Sequence, residues 1–178
     1  HYISKFSMLL RKVLKSSQEP WLPLEEEIQI LGLYLDIEKL RIGEDFVYEI
    51  ITGYDVEADA CRIPGMLIQP IAENSLKHGL AAKKGRKELK IEIALKTDDS
   101  LLVSITDNGI GREQAEWLKS KGARLLPHES RGISLIKERL RAISKNYDES
   151  CFQIDDLVDT NNQAAGTRVR LVLPLALT

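Results

Sequence analysis

A chain of 178 residues with 43% hydrophobic content is long enough to bury one real core, with room for a helical segment beside it. Lys+Arg 25 against Asp+Glu 27 leaves a formal charge of −2, so the global electrostatics recommend neither nucleic acid nor an anionic membrane as main partner. No apolar run of about 18 residues suits a membrane span, and Cys61 and Cys151 stand in no metal-ligand spacing, which reads as reduced structural thiols in a cytoplasmic environment.

Tyr2, Phe6, Leu9, Leu10, Val13 and Leu14 recur at helical spacing with Lys5, Arg11, Lys12 and Lys15 on the other side, the pattern of an amphipathic helix. Ser16 to Pro20 breaks it. Pro23 followed by Glu25, Glu26 and Glu27 starts a second helix, proline early and acids in the first turn, running to about Arg41. Leu24, Ile28, Leu31 and Leu35 form one stripe on it; Ile30, Leu33, Tyr34, Ile37 and Leu40 form another. It must therefore touch two surfaces, either inside its own domain core or as a helical hairpin that also packs on a partner chain.

From Gly43 the period changes. Phe46–Thr52 reads as a strand, and Pro64-Gly65 opens the next helix. Leu89, Ile91, Ile93 and Leu95 alternate with Glu88, Lys90, Glu92 and Lys96, and Asp98-Asp99-Ser100 turns the chain into the strand Leu101–Thr106, predicting a hairpin. Glu113–Lys119 suits a short helix; Gly122–Arg131, with Pro127 and no period, suits a flexible loop. Ile133, Ile136, Leu140 and Ile143 mark a further helix. Cys151–Ile154 and Thr167–Leu173 are the last two strands, the latter with Val169, Leu171 and Leu173 inward. Strands separated by helices, with a hairpin in the middle, predict an α/β fold with a mixed sheet and helices on one face.

Two segments carry polar residues where the pattern is otherwise apolar. In LIQPIAENSLKHG (67–79), Asn74, Lys77 and His78 fall at i, i+3 and i+4 and so share one face of an α-helix. Magnesium is a hard cation that takes oxygen ligands and keeps several waters, a role that suits Asn74. Lys77 can reach a phosphate as a point charge, and His78 can flank ribose or base. The plainer alternative is that Glu73 and Lys77 form a surface pair while Asn74 and Gly79 end the helix and His78 caps it. In Asp107-Asn108-Gly109-Ile110-Gly111 an alternating strand stops at an aspartate, and the glycines after it permit positive φ and close backbone approach. A buried aspartate there would accept the exocyclic amine of adenine, where guanine presents a carbonyl; the alternative is a turn that merely ends a strand.

Ser130-Arg131-Gly132-Ile133 opens a helix whose amides suit phosphate, and Gly166-Thr167 offers a hydroxyl near the same sheet end. No Ser/His/Asp triad order, HExxH, CxxC or Walker motif occurs, and His1, His78 and His128 form no metal constellation.

Taken in order, QPIAENSLKHG, DNGIG, SRGISLIKERL and GTRVRLVLP resemble the N box and glycine boxes of the GHKL superfamily of gyrase, histidine-kinase and mismatch-repair ATP-binding domains. Upstream, LLRKVL and LPLEEEIQILGLYLDIEKLR resemble the second half of the dimerisation region in LytS-like sensor histidine kinases. The resemblance implies a Bergerat-type two-layer α/β sandwich with a mixed sheet, preceded by an N-terminal helical hairpin. Residues 1–42 would be partial dimerisation and phosphotransfer helices, and 43–178 an ATP-binding catalytic domain that holds ATP·Mg²⁺ beneath a mobile lid at 113–131. By motif position Asn74 would ligate magnesium, Lys77 would meet phosphate, Asp107 would meet adenine, and Gly109, Gly111 and Gly132 would shape the pocket, with His78, Ile133 and Thr167 around the nucleotide. Ser130 stands where the family carries glycine.

The implied activity is transfer of the ATP γ-phosphoryl group to a histidine upstream of this chain and then to a response regulator, within a homodimer. A PHFLFN-like acceptor motif would precede the first helix, and the start at His1 without methionine suggests a piece of a longer protein, one that an upstream region could anchor to the membrane. The alternatives are an anti-sigma-type serine kinase module or an ATPase. Against the ATPase, Pro70 occupies the position one turn before Asn74 where hydrolysing members carry a general-base glutamate, and Glu73 points about 100° away from Asn74.

Overall fold

The computed structural model describes residues 2–16, 18–121, 131–144 and 147–176. In chain order these form α1 (Tyr2–Ser16), β1 (Trp21–Pro23), α2 (Leu24–Ile42), β2 (Phe46–Thr52), β3 (Arg62–Pro64) and α3 (Gln69–Asn74). A π-helical turn, Ser75–Leu80, continues α3, followed by β4 (Lys87–Thr97), β5 (Ser100–Asp107), α4 (Arg112–Lys121) and α5 (Arg131–Ile143). A short 3-10 turn, Glu149–Cys151, leads into β6 (Phe152–Val158) and β7 (Ala164–Pro174).

Five strands form one mixed sheet in the order β2-β4-β5-β7-β6. β2 runs parallel to β4 and every other neighbour is antiparallel. The period-2 alternation decides the faces. Phe46, Leu89, Ile91, Ile93, Leu101, Val103, Ile105, Val169, Leu171 and Leu173 point into the core. The opposite face carries Lys90 and Glu92, paired at 2.7 Å, and Arg170 with Asp155 at 2.9 Å. Leu31 and Leu35 of α2, Ile71 and Ala72 of α3, Leu76 and Leu80 of the π turn, and Ile136 and Leu140 of α5 cover the apolar face. The result is the expected two-layer sandwich of a mixed sheet with helices on one face.

Both stripes of α2 find partners. Leu24, Leu31 and Leu35 enter the main core, whereas Ile30 and Ile37 meet Leu9 of α1 in a second cluster. The helices run antiparallel, with Lys5 on Asp36 at 2.5 Å, Lys12 on Gln29 at 2.9 Å and Lys15 near Glu26 at 3.7 Å. Tyr48 of β2 also donates to Asp36, at 2.6 Å. The Lys5 and Tyr48 hydrogen bonds hold the Asp36 carboxyl below its usual range. Its folded pKa lies below the unfolded value, so its contribution is complete above about pH 4 and is lost as pH falls through the folded pKa. The pair is partly exposed, so Asp36→Asn should cost less than about 1 kcal/mol at neutral pH. That difference should shrink toward pH 3, which urea midpoints at the two pH values would show.

Local pattern and structure part company at a few places. β1 and β3 pair as a two-stranded ribbon, Leu22 opposite Ile63, that three-residue strands are too short to announce. The helix expected from Pro64-Gly65 begins only at Gln69, after a turn over 65–68. β6 and β7 are longer than their alternation indicated. α4 takes the place of the short helix expected at 113–119. Residues 122–130 of the expected lid, with Ser130 and His128, lie outside the described residues, as does His1, and its last residue, Arg131, begins α5. Cys61 and Cys151 are free thiols. Among the described residues no helix is long and apolar enough to cross a membrane.

Candidate functional site

Strand register places Leu89, Asp107, Thr167 and Asp156 in one row across β4, β5, β7 and β6 at a single end of the sheet. Asp107 is the buried acid of that row, 2% exposed. Its Oδ1 accepts the Gly109 amide at 2.9 Å, and the Ser75 hydroxyl and Thr167 amide donate to the same carboxylate. Burial pushes its pKa up; those three donors and the Lys83 charge oppose the shift. A carboxylate desolvated this far needs donors, and all of these come from backbone or small side chains.

Glycines make the close packing possible. A Cβ on Gly79 would sit 2.7 Å from Asp107 Oδ1, and one on Gly109 would sit 2.5 Å from the Gly79 carbonyl. Ile110 donates to that carbonyl at 3.1 Å. Asn108 ties the turn to the sheet by accepting the Glu88 amide at 2.8 Å. Gly111, at φ +78, turns the chain into α4 with Ala164 close by.

The first motif does not continue as an α-helix. From Ser75 the chain winds as a π turn, whose i→i+5 pattern carries Ser75 and Gly79 onto Asp107. The face that Asn74, Lys77 and His78 would share at i, i+3 and i+4 is therefore not kept intact. Lys77 is exposed and paired with Glu73, and His78 is half-buried on the π turn. Asn74 closes α3 with its Nδ2 buried and without a hydrogen-bond partner, and a Cβ on Gly132 would lie 3.8 Å from it. Ile133 packs against the main core.

The predicted residues thus fall into two groups joined by the π turn. Asp107, Gly109 and Thr167 meet at the sheet end, and Asn74 and Gly132 meet where α3 faces α5. Ser75, Gly79, Lys83 and Gly166 also belong with the first group; Ser75 and Lys83 were not singled out from sequence, and Gly79 and Gly166 were named only as a helix end and as the neighbour of Thr167. Ser75 and Gly79 stand inside the quoted motif, and a small polar residue in an apolar helical stretch was the available signal. Among the described residues no group of three His, Cys, Asp or Glu could hold a metal. The carboxamide oxygen of Asn74 is a neutral ligand of the kind magnesium takes; the buried, unpartnered atom beside it is Nδ2, a donor that an acceptor and not a cation would satisfy.

Comparison with known proteins gives this arrangement a class. The histidine kinase domain of the blue-light activated kinase of Erythrobacter litoralis superposes at TM-score 0.59 with 14% identity, covering 98% of this chain and 75% of that one. The catalytic domain of histidine kinase ThkA superposes at 0.55 with 15% identity, covering 86% and 94%. The fold is that of a histidine-kinase catalytic domain with helices before it. Residues 1–46 match the histidine kinase family model. The sequence resembles the LytS-like sensor histidine kinases in particular. Sensor protein LytS of Oceanobacillus iheyensis is 29% identical over 98% of this chain and 28% of its own length. Sensor histidine kinase YpdA of Escherichia coli is 25% identical over 79% of this chain and 24% of its own. The chain thus spans between a quarter and a third of the LytS protein's length.

Proposed function

We propose that this chain is the ATP-binding catalytic region of a two-component sensor histidine kinase, which transfers the γ-phosphoryl group of ATP to a histidine outside these residues. A response regulator then takes the phosphoryl group, in the cytoplasm and within a homodimer, with residues 1–42 serving as part of the dimerisation helices and 43–178 as the catalytic domain. The observation that carries this reading is the buried Asp107 carboxylate packed against Gly79 and Gly109 at the sheet end, with Gly166 against its backbone, one helical segment away from the unpartnered Nδ2 of Asn74.

In this reading Asp107 accepts the exocyclic amine of adenine, and the glycines let the base approach the backbone. Asn74 offers its oxygen to magnesium. Lys77 leaves Glu73, an exposed partner worth little, to meet phosphate. The metal, when bound, neutralises charge on the phosphate oxygens. The remaining work is positioning.

Titration calorimetry with ATP, with and without magnesium, tests the reading. Wild type should bind ATP more tightly with the metal. Asn74→Ala should remove about 1–3 kcal/mol from the magnesium-dependent binding while keeping selectivity for adenine. Undiminished magnesium dependence in Asn74→Ala would remove Asn74 from the site.

A further inference from the structure

The turn over 65–68 joins β3 to α3, and other parts of the molecule hold it from three sides. Met66 sits at φ 60, a left-handed conformation that a side-chain-bearing residue rarely adopts. Its neighbours over-determine it. From α2, Glu27, only 1% exposed, accepts the Met66 amide at 3.0 Å and the Ile68 amide at 3.4 Å. The Leu67 amide also points at this carboxylate. From α5, Arg139 donates to the Gly65 carbonyl at 2.8 Å and the Met66 carbonyl at 3.4 Å. From β1, Leu22 packs where a Gly65 side chain would otherwise be, 2.6 Å from the ideal Cβ.

The amides of the turn therefore go to α2 and its carbonyls to α5. The Ile68 carbonyl in turn accepts from Ile71 at 3.1 Å and Ala72 at 3.2 Å, so the residue that Glu27 grips is the one from which α3 starts. α3 ends at Asn74, and α5 opens with Gly132 beside Asn74. Glu27 thus holds the origin of α3, and Arg139, in the second half of α5, holds the same turn, while α2 itself is packed into both the α1 cluster and the sheet core.

We propose that Glu27 is a positioning residue that couples α2 to Asn74 through the 65–68 turn, so that a shift of α2 against the sheet is read as a change in magnesium-nucleotide affinity. The physical basis is that a buried carboxylate cannot leave its donors without a large desolvation penalty. When α2 moves, the turn moves with it. Arg139 must then either carry α5 along or release the turn's carbonyls, and each alternative changes where Asn74 stands relative to Gly132. The proposal rests on the nucleotide reading above.

Glu27→Gln tests it, since glutamine keeps the shape but replaces one of two acceptors with a donor that faces a backbone N–H. ATP binding is measured by calorimetry with and without magnesium, and amide exchange at Met66 and Ile68 by NMR or mass spectrometry. Leu35→Ala, on the same helix and in the same core but away from the turn, is the comparison. Glu27→Gln should weaken magnesium-dependent binding by about tenfold, the scale of losing a group that orients a ligand. Metal-free binding should be unchanged, and exchange at Met66 and Ile68 should quicken. Leu35→Ala should lower Tm without separating metal-dependent from metal-free binding. Normal wild-type binding with no such separation in Glu27→Gln overturns the coupling and leaves the nucleotide reading standing. Absence of ATP binding by wild type overturns both, before any variant is compared. If Glu27→Gln fails to fold, Arg139→Gln releases the same turn from α5 and must show the same separation, or the coupling is wrong.

Discussion

Gly166→Ala is expected to lower the free energy of unfolding by about 2–6 kcal/mol. The added Cβ would stand 1.9 Å from the Asp107 carbonyl oxygen and 3.0 Å from Asn108 Cα, at a residue whose φ is +132. Both obstacles are backbone, the last residue of β5 and the one after it, and β5 is paired along its length with β7, so neither can swing aside as a long side chain would. The backbone angle adds strain of its own, because that region of φ favours glycine. Gly32→Ala makes the contrast. Nothing lies within 4 Å of its Cβ, and it sits inside α2, where alanine should stabilise the helix by about 0.5–1 kcal/mol. Urea unfolding of both variants decides the matter. Wild-type stability in Gly166→Ala would mean that β5 and β7 do not approach this closely at the site.

Asp107→Asn is expected to weaken ATP binding by about 1–3 kcal/mol, with GTP binding unaffected. Asparagine keeps the size of the side chain but presents an NH₂ group where Gly109, Ser75 and Thr167 all donate. One donor must then face another, and the acceptor for adenine's amine is weakened at the same time. Asp156→Asn is the control. It lies in the same row of the sheet but is exposed and bonded to Arg112, so adenine selectivity should survive its change. Equal ATP affinity in Asp107→Asn and wild type would sink the site. The substitution should also alter the pH dependence of stability. Burial raises the folded pKa of Asp107 above its unfolded value, so its stabilising contribution is complete below about pH 4 and is lost as pH rises through the folded pKa. Asp107→Asn should flatten the stability curve over that rise.

The amino-acid sequence alone determined the elements whose burial repeats along the chain. Leu89, Ile91 and Ile93 alternate with charged residues because one face of β4 meets the core and the other meets water, and the apolar stripes of α2 announced two contacts that the structure then supplied. The DNGIG glycines were legible for a related reason, since a residue type without a side chain marks a place where the backbone needs positive φ, as at Gly111, or a close approach, as at Gly109. Periodicity, though, reports only whether a side chain is buried, and not by what. The tertiary structure alone decided that Ser75 to Leu80 winds as a π turn onto Asp107, that Gly79 stands against that carboxylate and Gly166 against its backbone, and that Glu27 and Arg139 hold the turn over 65–68, whereas the Glu73–Lys77 pair was already legible from its i, i+4 spacing. Glu27 read as one of three acids in a helical first turn, a surface role consistent with its neighbours in sequence. Its burial and its donors come from residues 39 and 41 positions away, and contacts at that separation leave no trace in the local spacing of residue types, because they are chosen by how whole elements pack rather than by the run of the chain.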